Sequence, residues 1–417
     1  MPSAIRGRRS LDGSNPSPSA PRGRFVAALL AALAAGAAAI ASVPAAAKPS
    51  PHVPWHPLPF RPPPGKAFHG VSDTFRGLPD VRHFQRQVGS HPAVLNDFFH
   101  WGTPLTTGAL QRWRASGSRG FLSLSTAPGG EPEMIRPGQI ARGIGDHYIV
   151  RLNQSIAAAN QVIYIRLFPE MNGYWNPYCA FNSDGTSRGL GHSTKSYRKA
   201  WRRFTIIVRG ATVRGINRRL RALGMPRLLR AASNDDPIYR QDGVGTRLAH
   251  PRVAMVWNPQ TIANPDILAN AASRYWPGRR YVDWVGADIY SKFATPGVRA
   301  ALESFYRAYR GFPFVIPEYS PWDGDPGGAF VRWLFGWAHT HSRVRMLIYY
   351  RSVNAGTVYD INNYPDARLA LRHILNEPRW VQYPDGKPHV PAAAAAMRKA
   401  HRRLPLVASP DPRQAAG

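Results

Sequence analysis

Eight short apolar or alternating runs recur along the chain, each separated from the next by a longer stretch. They begin at Ala67 (AFHGVSD), Val94 (VLNDFFHW), Gly120 (GFLSLST) and Val162 (VIYIRLF). They continue from Arg252 (RVAMVWN), Tyr281 (YVDWVGADIY), Phe312 (FPFVIPEY) and Val344 (VRMLIYY). Several of the intervening stretches have helical spacing: Ile140, Ile144, Ile149 and Leu152 share one face, a second helix starts after the cap-like Ser193-Thr194, and a third ends at Gly311. Strands alternating with helices predict a parallel sheet, and eight of them predict an α/β fold, a single (β/α)8 TIM barrel, over residues 66–380. Active sites on such barrels sit at the C-terminal ends of the strands, where the Gly-, Ser- and Asn-rich loop 176–193 falls.

The ends of the chain read differently. Arg6, Arg8, Arg9, Arg22 and Arg24 precede the apolar run Phe25 to Ala41, and Ala45 to Ala47 offer a small-residue cleavage site. That is the pattern of a signal peptide over residues 1–47, and the apolar run falls short of the ~20 residues a bilayer span needs. The expectation is a secreted or cell-envelope protein with no stable membrane span. Residues 48–65 form a proline-rich linker and residues 381–417 an Ala/Pro/Arg-rich tail.

Charge and cysteine content narrow the function. The 54 Lys+Arg against 24 Asp+Glu give a net charge of +30, yet the basic residues are scattered in no continuous block and no nucleic-acid motif accompanies them. Solvated helix faces account for most of them, and nucleic acid is not the expected partner. The single cysteine, Cys179, excludes an internal disulfide and any zinc site built on two cysteines. No metal or cofactor is expected, and the chain is read as a monomer.

Two strand ends carry carboxylates in aromatic company. In RLFPEMNGYWNPY a strand runs into Glu170, followed by Asn172, Tyr174 and Trp175; in VIPEYSPWDGD another ends at Glu318, with Trp322 four residues on. Two carboxylates at a barrel mouth, flanked by rings that stack on sugars, fit the hydrolysis of a sugar chain. Asp283 and Asp288 read as structural anchors, and Asp73 and Asp97 as strand-end residues without an assigned role.

These motifs resemble glycoside hydrolase family 26, whose best-known members are β-mannanases. The resemblance runs from about Phe68 to Leu375 and rests on Arg166-x-x-x-Glu170-Met171-Asn172-Gly173-x-Trp175, on VWNP from Val256, on YWPGRRYVDWVGADIY from Tyr275, and on the strand ending at Glu318. It implies a retaining mechanism acting on β-mannan or a related β-glycan, with Glu170 as acid/base and Glu318 as nucleophile. It further implies Tyr290 bonded to the nucleophile and Arg166 beneath the pair. Asn172, Trp175, Trp257, Trp322 and Tyr350 complete the expected substrate-binding set. Two positions depart from the family pattern: Pro169 stands where a histidine is usual, and Tyr349, Tyr350 and Arg351 stand where a tryptophan platform is common. Arg351 could meet the carboxylate of an acidic sugar. The rival reading is a carbohydrate-binding or cell-envelope protein that kept the barrel and lost turnover.

Overall fold

The computed structural model describes residues 59–74, 76–128, 132–228, 245–351 and 357–387. The proposed signal peptide, most of the linker and most of the tail lie outside them. Eight parallel strands close into a barrel: β1 (Ala67–Ser72), β2 (Val94–His100), β3 (Arg119–Ser125), β4 (Ile163–Leu167), β5 (Val253–Trp257), β6 (Trp284–Gly286), β8 (Phe314–Ser320) and β9 (Val344–Tyr349). Pairing of β9 with both β8 and β1 completes the ring. The two-residue β7 (Ile289–Tyr290) carries β6 on past an interruption, and β10 (Trp380–Val381) adds to the lower part of β1. The single TIM barrel read from the strand pattern is the fold.

Strand alternation sorts the side chains. Phe68, Val94, Phe121, Tyr164, Val256, Trp284, Val315 and Met346 fill the lower barrel as one apolar plug. Their neighbours in sequence, including Leu95, Ile163, Ile165, Met255 and Trp257, face outward against the helices. Burial of each such side chain contributes about 1.5–3 kcal/mol. Higher up the inward positions turn polar, with Asn96, Ser123, Arg166 and Asn258 all buried. The plug makes a dry base on which that polar layer rests.

The helices follow from ordinary signals. Helix α5 (Thr194–Val208) begins where Ser193 Oγ accepts from Ser196 N at 3.1 Å, and it buries Tyr197, Trp201, Phe204 and Val208 along one stripe. Lys195, Arg198, Lys199 and Arg202 occupy the other face. The helix before β3 (Thr107–Ser116) lays Trp113 over Gly120, where a Cβ would sit 2.2 Å from the ring. No described helix is long and apolar enough to cross a membrane.

The folded unit starts earlier than residue 66. Pro59 accepts from Trp284 Nε1 at 2.7 Å and Phe60 accepts from the Tyr164 hydroxyl at 2.7 Å, so the end of the proline-rich stretch caps the barrel base. Arg119 donates to the Phe60 carbonyl at 2.9 Å and to both carboxylate oxygens of Asp385. It thereby joins the first and last described segments.

Candidate active site

Arg166 is an inward residue of β4, one step above the plug, and it is fully buried. Its Nε donates to Asn258 Oδ1 at 2.5 Å, and its two terminal nitrogens donate to Glu318 and Asp288. A buried guanidinium is tolerable only when its nitrogens find acceptors, and here two carboxylates, an amide oxygen and, at 3.5 Å, Ser123 Oγ supply them. Burial opposes its charge, but Asp288 and Glu318 outweigh that and raise its pKa further.

Local backbone geometry brings the carboxylates to this point. Strict alternation from the outward Ile316 and Val315 within would not deliver Glu318 to the interior in register. The β8–β9 pairing is irregular between Ile316 and Tyr319, and across that irregularity Glu318 reaches Arg166. Tyr290 donates its hydroxyl to the other oxygen of Glu318. On the opposite wall, Phe168 and Glu170 hold positive φ angles of 48° and 52°, uncommon for such side chains. Backbone bonds hold the bend, with Glu170 N donating to Asn258 O at 2.7 Å and Phe168 N to Leu124 O at 2.8 Å. Strain of this kind costs of order 1–3 kcal/mol per residue and is concentrated at functional sites.

Glu170 accepts from Trp175 Nε1 at 3.0 Å on one oxygen and from Gln260 on the other. Trp175 folds back over Gly173, where any Cβ would lie 2.5 Å from the indole. Burial, then the negative charge of Glu318, raises the Glu170 pKa. Burial likewise raises Asp288, with Glu318 and Glu170 adding to the effect against Arg166. Glu318 thus faces a cation and a phenol, while Glu170 sits in a setting that favours its protonated form.

The structure brings Arg166, Glu170, Trp175, Tyr290 and Glu318 together as the motifs predict. Trp322 and Tyr350 approach the Tyr290 ring edge-on, at centroid distances of 5.5 and 5.9 Å. Three expectations need correction. Trp257 does not line the cleft: Val256 points inward, so Trp257 points out and packs, fully buried, against Trp276, Phe305 and Tyr309. Asn172 is also fully buried, and both ends of its amide bind the Gln260 backbone, at 3.0 and 2.8 Å, so it clamps two loops rather than meeting substrate. Arg351 is committed to Asp80 at 3.3 Å and to the Asp73 carbonyl at 2.8 Å.

Asp288, read as an anchor, belongs to the site, whereas Asp283 is an anchor, held by Arg209 at 2.5 Å and by Met255 N at 2.6 Å. Asn258 lies in the VWNP run without an assigned role, and Gln260 stands outside every motif read from the sequence. Asp73 lies at the end of β1 with φ 57°, accepts from Ser72 Oγ at 2.7 Å, and is pushed up to about 7 by burial. Among the described residues no cluster of three His, Cys, Asp or Glu side chains could hold a metal ion.

No family model matches the chain. Among curated proteins it is 22% identical over 310 residues to Endoglucanase H of Acetivibrio thermocellus, a match covering 71% of this chain and 29% of that one. The chain therefore spans under a third of that relative's length. Among solved structures, an endo-β-1,4-mannanase double mutant from Cellulomonas fimi superposes with a TM-score of 0.50 at 13% identity, covering 78% of this chain and 74% of that one. The chain resembles glycoside hydrolase family 26. A family 26 β-mannanase from Bacteroides ovatus gives a TM-score of 0.48 at 14% identity, over 78% of this chain and 92% of that one.

Proposed function

We propose that the protein is a secreted, retaining endo-β-glycosidase that hydrolyses β-mannan or a related β-glycan by double displacement. The observation that carries this reading is the contrast between the two glutamates. Glu318 accepts from Arg166 and Tyr290, and both donors favour the negative charge a nucleophile needs. Glu170 has its pKa raised by burial and by Glu318, which suits a group that must first give a proton to the glycosidic oxygen. In the first step Glu318 bonds to the anomeric carbon as the leaving oxygen takes the proton from Glu170. In the second, Glu170 takes a proton from water as water's oxygen displaces Glu318. Gln260 and Trp175 keep Glu170 aimed through both steps.

The test is reducing-end release by the chain from residue 48 on galactomannan, glucomannan, mixed-linkage glucan, xylan and a uronic-acid polymer. Release on one glycan should fall at least about 10³-fold in both Glu170→Ala and Glu318→Ala. Proton NMR of early products should show the β-anomer first, and an α-anomer first would rule out retention. Pro169, which offers no donor where the family has histidine, favours the second reading of a binder. A wild-type chain that binds a glycan unchanged, and keeps that affinity in both alanine variants, would establish that reading instead. Export predicts a mature N-terminus near Lys48, readable by N-terminal sequencing of protein from the medium.

A further inference from the structure

The site leaves the excess of 30 positive charges unused. Many arginines outside the cleft serve the fold: Arg343 binds the Tyr309 and Phe312 carbonyls, Arg379 the Ala338 carbonyl, and Arg203 the Asp146 carboxylate. One surface differs in gathering several cations into a row, although some of these too reach backbone carbonyls. Lys195, Arg198, Lys199 and Arg202 stand at i, i+3, i+4 and i+7 on the outer face of α5, with turns about 5.4 Å apart. Arg274 and Arg280, exposed on the short turns between β5 and β6, extend the row. Arg198 donates to the Arg274 carbonyl, and Arg202 Nε to the Pro277 carbonyl at 2.7 Å, so the two segments are one surface.

Among the described residues none of these six side chains forms an ion pair with a carboxylate. Burial, then the charges of Arg202 and Arg274, lowers the Arg198 pKa, as crowded cations should. By connectivity the row begins where a loop from the C-terminal end of β4, the site-bearing side of such a barrel, enters the helix. Ser193, which caps α5, ends the loop leading from Glu170, and the turn bearing Arg274 follows the segment bearing Gln260.

We propose that this row is a docking track for an anionic, carboxylate-bearing polysaccharide that lies beside the neutral glycan cleaved in the cleft. The choice of a polysaccharide rests on the glycosidase reading. The cleft itself disfavours an anionic sugar, because Glu170, Asp288 and Glu318 converge there on the single Arg166. A single-stranded nucleic acid would want free rings for base stacking, yet Tyr281 lies beneath Arg202 at 5.6 Å and Trp276 packs on Trp257.

Affinity electrophoresis of the mature full chain through gels containing polygalacturonate, with galactomannan gels as the neutral control, tests the track. Polygalacturonate should retard the wild type, with affinity falling steeply between about 50 and about 200 mM salt. Arg198→Ala/Lys199→Ala/Arg202→Ala should bind at least about tenfold more weakly while hydrolysing soluble neutral glycan at the wild-type rate. Arg274→Ala/Arg280→Ala, which leaves α5 untouched, should lower affinity in the same direction and guards against misfolding of the first variant. Equal retardation of wild type and both variants overturns the proposal, as does tighter binding to a single-stranded polynucleotide or to anionic phospholipid vesicles. Arginine- and salt-dependent uronate binding by a wild type that cleaves no glycan would sink the catalytic reading and leave the track standing.

Discussion

Arg166 and Arg198 carry the same guanidinium into opposite surroundings. Arg166 has no exposure and meets Asn258, Glu318 and Asp288, so each of its three nitrogens donates to a protein oxygen. Arg198, half-buried on the flank, reaches the Arg274 carbonyl and the Thr194 hydroxyl, and its nearest charges are the like charges of Arg202 and Arg274. Inside the barrel the partners must be supplied by the chain, because an unmatched buried charge costs several kcal/mol. On the flank water supplies them, so the charge is free to be exchanged for that of a binding partner. Position in the fold, more than residue type, decides whether a cation organises chemistry or recognises a surface.

That contrast is sharpest at Arg166. Arg166→Met should destabilise the protein by about 3–5 kcal/mol, read as a shift in the urea midpoint, because it strands two buried carboxylates. A change below about 1 kcal/mol would mean that the pairing is not the buried one described. The two tryptophans split the same way. Trp257→Ala should cost about 3–5 kcal/mol of stability with kcat little changed in the folded fraction. Trp175→Phe should cost little stability and lower kcat about 10- to 100-fold, through the lost bond to Glu170.

Asp73 gives a smaller effect with a defined sign. Its folded carboxyl holds a proton up to about 7 against an ordinary 3.8, so the folded state binds more protons across that window. Stability contributed by this group is present at low pH and is lost as pH rises from about 4 to about 7. Asp73→Asn should flatten the urea midpoint across that range, and an unchanged pH profile would show the carboxyl to be ionised throughout. The smallest effect belongs to the exposed flank pair. Arg307 meets Glu303 at 2.6 Å, yet Glu303 is also held by Trp337 and His341, so Arg307→Ala should move stability by less than about 0.5 kcal/mol.

The barrel was legible because strands and helices have different hydrophobic periods, and eight repeats of the contrast leave few alternatives. The meeting of Glu170 and Glu318 was legible because both stand at strand ends. Trp257 was misassigned although the information was present: Val256 and Ala254 pack into the barrel plug, which sends Trp257 outward by parity. Asp288 offered a weaker clue, lying two residues before Tyr290 beyond the short β6 strand. Gln260 left no signal, since a loop glutamine reaches Glu170 only after two loops have been clamped by Asn172. The inward turn of Glu318 depends on a pairing irregularity at Pro317, which alternation alone cannot anticipate.

The ring is closed by β9 pairing with β1, and its base is sealed where Arg119 links Phe60 to Asp385. A chain leaving the ribosome therefore makes its first strand, which pairs early with β2, more than 270 residues before its other barrel neighbour, since Phe68 registers with Met346. Until residues 344–349 emerge, the nascent sheet has two free edges, and Phe68, Phe121 and Tyr164 lack a sealed interior to fill. Any holding factor that meets this chain during synthesis has that open curl of strands, not the finished barrel, as its client.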